Sequence, residues 1–207
     1  DLEVNLDKRY AGKEARNVRQ IIDLLAATPE TVAASIAVIE ARDALTATVN
    51  DSFAGLVQER ARAAGLGELR PVAGETRLFS PNRHGMLRVD IGDPRFDFAI
   101  SAASTYFRDV ALGVCLRKWR RGTAKAFAGE IARLREALGP GQSNLDKWWP
   151  WWEHVQALDA SGRRSIRPPD LWAWASDAGD EGLAAAFVKR AVEAKRVLSI
   201  TEDELET

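Results

Sequence analysis

Between Gly67 and Trp119 the chain runs in short segments whose apolar residues alternate, and on both sides of that stretch apolar residues recur at every third or fourth position. A period that changes from 3.6 to 2 and back excludes both an all-helical bundle and an all-β sandwich. The pattern predicts an α+β fold, with a short antiparallel β-meander packed against N-terminal and C-terminal helices. The boundary falls at Gly65 and Gly67. It sets an N-terminal helical segment, 1–66, before a sheet with C-terminal helices, 67–207, and the two are expected to form one compact domain.

Within the alternating stretch, strands are predicted over Leu69–Val72, Thr76–Phe79, Leu87–Ile91, Phe96–Ile100 and Val110–Arg117. Pro81–Gly85 and Gly92-Asp93-Pro94 carry turn chemistry. In the last strand Val110, Leu112, Val114 and Leu116 share one side. Ala111, Gly113 and Cys115 are small on the other, where a helix is expected to lie close.

The flanks read as helices. Val18, Ile21, Ile22 and Leu25 make one face of a helix over Lys13–Ala27. Thr28-Pro29-Glu30 is a start signal of cap, first-turn proline and dipole-facing carboxylate. One long helix, 29–64, is expected to follow. Val32, Ile36, Ile39, Val49, Phe53 and Leu56 form its stripe, with a possible interruption at Asn50-Asp51-Ser52. After Gly122, Phe127, Ile131, Leu134 and Leu138 form another stripe, stopped by Gly139-Pro140-Gly141. Pro150 is expected to open a short helix carrying Trp151, Trp152, Val155 and Leu158. Asp170 is expected to cap Leu171–Ala175. A last helix is predicted over Asp180–Leu198, with Leu183, Phe187, Val188, Ala191 and Val192 inward. Thr201–Glu204 has capping-box spacing.

The net charge of -1 excludes a polycation that coats nucleic acid along its whole length. Charge is nevertheless uneven. Arg70–Lys125 holds 11 basic and 5 acidic residues, a net of +6, and the remainder carries -7. The single cysteine, Cys115, excludes an intrachain disulfide and a cysteine-based metal site. No signal peptide and no apolar run near 18 residues is present. A soluble cytoplasmic protein with no membrane partner is therefore expected.

No complete catalytic constellation is visible, and no catalytic residue, metal site or cofactor is predicted. His84 lies in a turn and His154 follows a tryptophan cluster; neither stands by a nucleophile motif. The chain has no His-Glu-x-x-His and no phosphate loop ending in Gly-Lys-Ser/Thr. Asp90, Asp93, Asp97 and Asp109 surround the strands, where converging oxygens could hold a divalent metal. Their spacing does not force convergence, so turn and strand-edge roles are expected instead.

Two features bear on partners. Arg117, Lys118, Trp119, Arg120, Arg121 and Lys125 end the best strand. Cations beside an aromatic suit a phosphate backbone and a stacked base, though an exposed strand end with its charges in water gives the same string. Six of the seven tryptophans lie between Trp148 and Trp174. On a short helix they would point in different directions, so core packing is expected ahead of an aromatic ligand pocket, with Trp149 and Trp151 the most exposed.

From about Met86 to Ile200 the layout resembles the C-terminal part of bacterial PD-(D/E)XK nuclease-superfamily proteins. The likeness is carried by Trp148-Trp149-Pro150-Trp151-Trp152, Pro169-Asp170-Leu171-Trp172, the closing amphipathic helix and the strands before them. Pro169-Asp170 followed by Glu193-Ala194-Lys195 matches that family's motif by letter. Here Glu193 and Lys195 fall in a helical stretch, about 200° apart around its axis, and no catalytic residue is carried over. The resemblance implies an accessory, non-catalytic module of a nuclease-like protein that touches nucleic acid through the basic strand end. The alternative is a protein-interaction or oligomerisation module that uses the helix over 29–64.

Overall fold

Among the described residues the alternating stretch supplies four strands of a five-stranded sheet, the fifth coming from Trp151–His154; every neighbouring pair is antiparallel and the order follows the chain. In this computed structural model the described residues are 13–70, 85–102, 110–118, 127–142, 149–155 and 168–199. The strands are β1 (Leu69–Arg70), β2 (Gly85–Asp90), β3 (Phe96–Ala102), β4 (Val110–Leu116) and β5 (Trp151–His154). The helices are α1 (Lys13–Leu25), α2 (Pro29–Glu40), α3 (Arg42–Ala63), α4 (Ala128–Leu138), α5 (Pro168–Ser176) and α6 (Leu183–Leu198). The α+β class therefore stands. The expected strand over Thr76–Phe79, His84 and the Thr201–Glu204 box lie outside the described residues.

The chain divides into two units, Asp1–Leu45 and Thr46–Thr207. The second unit holds the core. Leu87, Val89, Phe96, Phe98, Ile100, Leu112, Val114 and Trp151 are wholly buried, and the register places them on one face of the sheet. They form one apolar cluster with Phe53 and Val57 of α3 and with Leu183, Phe187 and Ala191 of α6. Phe187 meets the Phe98 ring at 5.3 Å, and Phe127 meets Phe96 edge-on at 4.9 Å. Helix α6 thus lies on the large-residue face. Ala111, Gly113 and Cys115 lie on the other face, which they share with Arg88, Asp90 and Asp97. Val192, expected inward, is exposed.

Pro150 precedes a strand and not a helix. Four aromatic and polar residues are too few for a stable helix, and two ladders are available to satisfy their backbone. Trp151–His154 pairs with β4, and on its other side Trp152 exchanges both backbone hydrogen bonds with Gln142, at 2.6 and 2.9 Å. Period two then sends Trp151 into the core and Trp152 to the opposite face. Trp151, expected to be exposed, is the largest fully buried side chain among the described residues, and its indole N–H donates to Gly139 O at 3.1 Å. Gly113 lets this strand approach, because a Cβ there would stand 2.3 Å from Trp151 O. Helix α5 starts at Pro168, so Asp170 sits in its first turn and not at the cap. Helix α6 starts at Leu183, three residues after Asp180.

The first unit follows the start signal at Thr28. Its hydroxyl accepts the Thr31 N–H and the Thr31 hydroxyl accepts the Thr28 N–H, a reciprocal cap on α2. Replacing it, Thr28→Ala, should cost about 1 kcal/mol of local helix stability. The expected readout is faster amide exchange over residues 31–34, with exchange in β3 and β4 unchanged. The single helix expected over 29–64 is broken at Ala41, and it continues through Asn50-Asp51-Ser52, where Asn50 is buried. Alanine is the strongest helix former, so no local preference accounts for that break.

Candidate functional site

Two regions of the described residues are more than scaffold. The first is a ring of charges on the sheet face opposite the core. Asp90 ends β2, and the hairpin closed through Gly92 sets it directly across from Asp97 on β3. Like charges in that position repel. Two arginines from neighbouring parts of the sheet compensate. Arg70 of β1 places Nη2 at 2.5 Å from Asp90 Oδ2 and Nε at 3.4 Å from Asp97 Oδ1. Arg117, just past β4, bonds Asp90 Oδ1 through Nη2 and holds Nε at 2.9 Å from Asp97 Oδ1. Each guanidinium therefore spans both carboxylates.

The two aspartates differ in environment. Burial raises the Asp90 carboxyl, but the Gly92 N–H at 2.8 Å and the cations of Arg70 and Arg117 outweigh it, leaving Asp90 below the usual range. Asp97 is 1% exposed, and its burial outweighs Arg117, Arg70 and Arg88, so its carboxyl is raised. The Nε–H of Arg117 donates to Phe96 O at 3.1 Å, so its approach to Asp97 is one of charge without a hydrogen bond. Neither Asp97 oxygen has a hydrogen-bond partner among the described residues. Cys115, paired with Asp97 across β3 and β4, is fully buried, and burial pushes its thiol up to about 12, so it stays protonated.

This pairing was not visible in the spacing alone. Asp93 has the turn role expected of it: its carboxylate accepts the Arg95 N–H at 2.7 Å and pairs with that guanidinium. Asp109 lies outside the described residues. Of the predicted nucleic-acid residues, Arg117 is engaged with Asp90 and Asp97, Lys118 is exposed, and Trp119, Arg120, Arg121 and Lys125 lie outside the described residues. Glu193 and Lys195 are on α6, as the helical pattern implied; Glu193 pairs with Arg190, and Lys195 donates to Gly65 O. A second ion pair that the sequence reading missed joins Arg190 to both oxygens of Glu153, at 2.8 and 3.1 Å, with the guanidinium 5.5 Å from the Trp151 ring. Trp172 and Trp174 are half-buried against the core, as packing residues should be. A shallow groove of about 460 Å³ opens between α3 and α6, lined by Arg60, Lys189 and Glu193 as well as by alanines, Val188 and Val192, with no tryptophan.

The second region is the pair of helices α1 and α2, bent by 111° across Ala26–Thr28. Ile21, Ile22, Leu24 and Leu25 of α1, and Val32, Ile36, Val38 and Ile39 of α2, are exposed, with Leu24 at 70%, Ile39 at 69% and Val38 at 72%. Helix α2 has no buried residue. No single described helix is long and apolar enough to cross a membrane.

Comparison with known proteins returns no matching family model, no matching curated protein and no matching solved structure.

Proposed function

We propose that this chain is a protein-interaction module that self-associates through α1 and α2. One observation carries the reading. Helix α2, Pro-Glu-Thr-Val-Ala-Ala-Ser-Ile-Ala-Val-Ile-Glu, is apolar around most of its circumference, a composition that belongs to a buried helix, yet none of its residues is fully buried. Eight exposed Ile, Leu and Val side chains on two consecutive helices make a surface that monomers rarely carry. The simplest cover is the same surface on a second copy. Two helical hairpins meeting face to face bury both apolar sides at once and close with two-fold symmetry. The alanines and Ser35 allow the backbones to approach closely.

The test is solution mass by light scattering after size exclusion, for the wild type and for Ile36→Lys combined with Ile39→Lys. The wild type should have a multiple of the 22.8 kDa chain mass, and that mass should persist in 1 M salt, because apolar contacts are not screened. The double variant should fall to the chain mass with unchanged circular dichroism. A wild type that runs as a single chain at tens of micromolar would overturn self-association.

A further inference from the structure

We propose that the interface between copies runs past α2, across the helix break at Ala41, onto the first turn of α3, with Val38 and Leu45 as its anchors, and that association draws the two helices into one. The inference rests on self-association through α1 and α2 and adds the surface that orients it. It starts from position. Ala34, Val38, Ala41 and Leu45 are separated by four, three and four residues, the spacing of one face of a continuous helix. All four are exposed, Val38 at 72% and Leu45 at 54%. Leu45 is the only large apolar side chain of α3 that is exposed among the described residues, and it sits one turn past the break.

The second support is the break itself. Sharp helix kinks come almost always from proline, Gly/Ser pairs or an inserted group. Residues 39–43 include no glycine, proline or serine. Ala41 keeps right-handed helical angles, φ -74° and ψ -8°. The hydrogen bonds on either side already have the spacing of one helix: the Ala41 N–H donates to Ala37 O and the Leu45 N–H to Ala41 O, both at 2.9 Å. A turn of about 35° in that single ψ angle brings Ala41 to the regular helical value.

The third support is self-complementarity. Val38 and Leu45 lie equally far on either side of the Ala41–Arg42 peptide. A two-fold axis beside that peptide sets Val38 of one copy against Leu45 of the other, twice over. The small side chain of Ala41 lets the two helices cross closely at the axis. The same two residues thus supply both halves of the contact, which is what a closed dimer of this chain requires.

Helical phase tests the proposal. In the full chain, one alanine inserted after Ala41 turns Val38 about 100° away from Leu45 in a continuous helix, whereas seven inserted alanines restore the shared face to within about 20°. Light scattering over a dilution series gives the dissociation constant of the dimer, and circular dichroism verifies each fold. The single insertion and Leu45→Glu should each weaken association roughly tenfold or more, and the seven-residue insertion should recover most of that loss. If Ile36→Lys with Ile39→Lys falls to the chain mass while Leu45→Glu and the single insertion associate as tightly as wild type, the extension onto α3 is overturned and self-association through α1 and α2 stands. Equal weakening by one and by seven inserted residues would refute the continuous helix. A wild type that never exceeds the chain mass overturns both readings.

Discussion

Trp151→Ala is expected to lower the unfolding free energy by about 3–5 kcal/mol, while Trp152→Ala, one residue along, should cost about 1 kcal/mol or less. Trp151 is wholly buried among Val114 of β4, the glycines before β5 and Arg190 of α6. Its removal empties a large volume, leaves Gly139 O without the indole N–H, and takes away the ring beneath the Arg190–Glu153 pair. Trp152 is half-exposed on the other face, and its ring touches only His154 edge-on at 5.3 Å among the described aromatic contacts. Urea unfolding followed by far-ultraviolet circular dichroism measures both, and a common slope would show that the variants unfold to the same extent. Equal losses at the two positions would contradict the period-two geometry of β5, since a strand, unlike a helix, sends neighbours to opposite faces.

That contrast marks where the sequence was legible and where it was not. The sheet was readable because period two is written into β2, β3 and β4 by Leu87, Val89, Phe96, Phe98, Leu112 and Val114, and because Gly92-Asp93-Pro94 signals a turn. Helices with a clear stripe, such as Ala128–Leu138, were readable for the same reason. The Trp151–His154 strand was not. Four residues of adjoining tryptophans carry no period, and their state is set by the free edge of β4 and by Gln142, both distant in sequence.

The charged site was hidden in a similar way. Asp90 and Asp97 are seven positions apart, and only the hairpin register makes them neighbours. Arg70 and Arg117 arrive from 20 positions before Asp90 and 20 after Asp97. Arg117 was singled out as a surface cation because a basic run reads as solvated or phosphate-facing from its letters alone. Its partner carboxylates are assigned by strand order, which no local pattern states. The apolar character of α2 was plain in the sequence, whereas the lack of a cover for it could be learned only from the fold.

The two aspartates of that site should respond to neutralisation with different signs. Asp90→Asn, measured at pH 7, is expected to destabilise by about 1–3 kcal/mol. It removes the carboxylate that Arg70 and Arg117 both contact and weakens the acceptor for the Gly92 N–H. Asp97→Asn should be neutral or slightly stabilising under the same conditions, because its charge is held in a place where desolvation exceeds the attraction of three arginines. The pH dependence follows from the same shifts. Asp90 is depressed in the folded state, so its contribution is full above the ordinary carboxyl range and is lost as pH falls through its folded value. Asp97 is raised, so the folded protein takes up that proton first. Ionised Asp97 costs stability at neutral pH, and the cost is relieved as pH drops through its folded value towards 3.8. Between pH 7 and the ordinary carboxyl range, wild type should therefore gain stability relative to Asp97→Asn, and below that range Asp90→Asn should approach wild type. Chemical unfolding of the three proteins at pH steps from 7 to 3 reads both slopes. A loss for Asp97→Asn at pH 7 as large as that for Asp90→Asn would mean that Arg117 and Arg70 hold Asp97 as a true ion-pair partner, and that its burial is compensated after all.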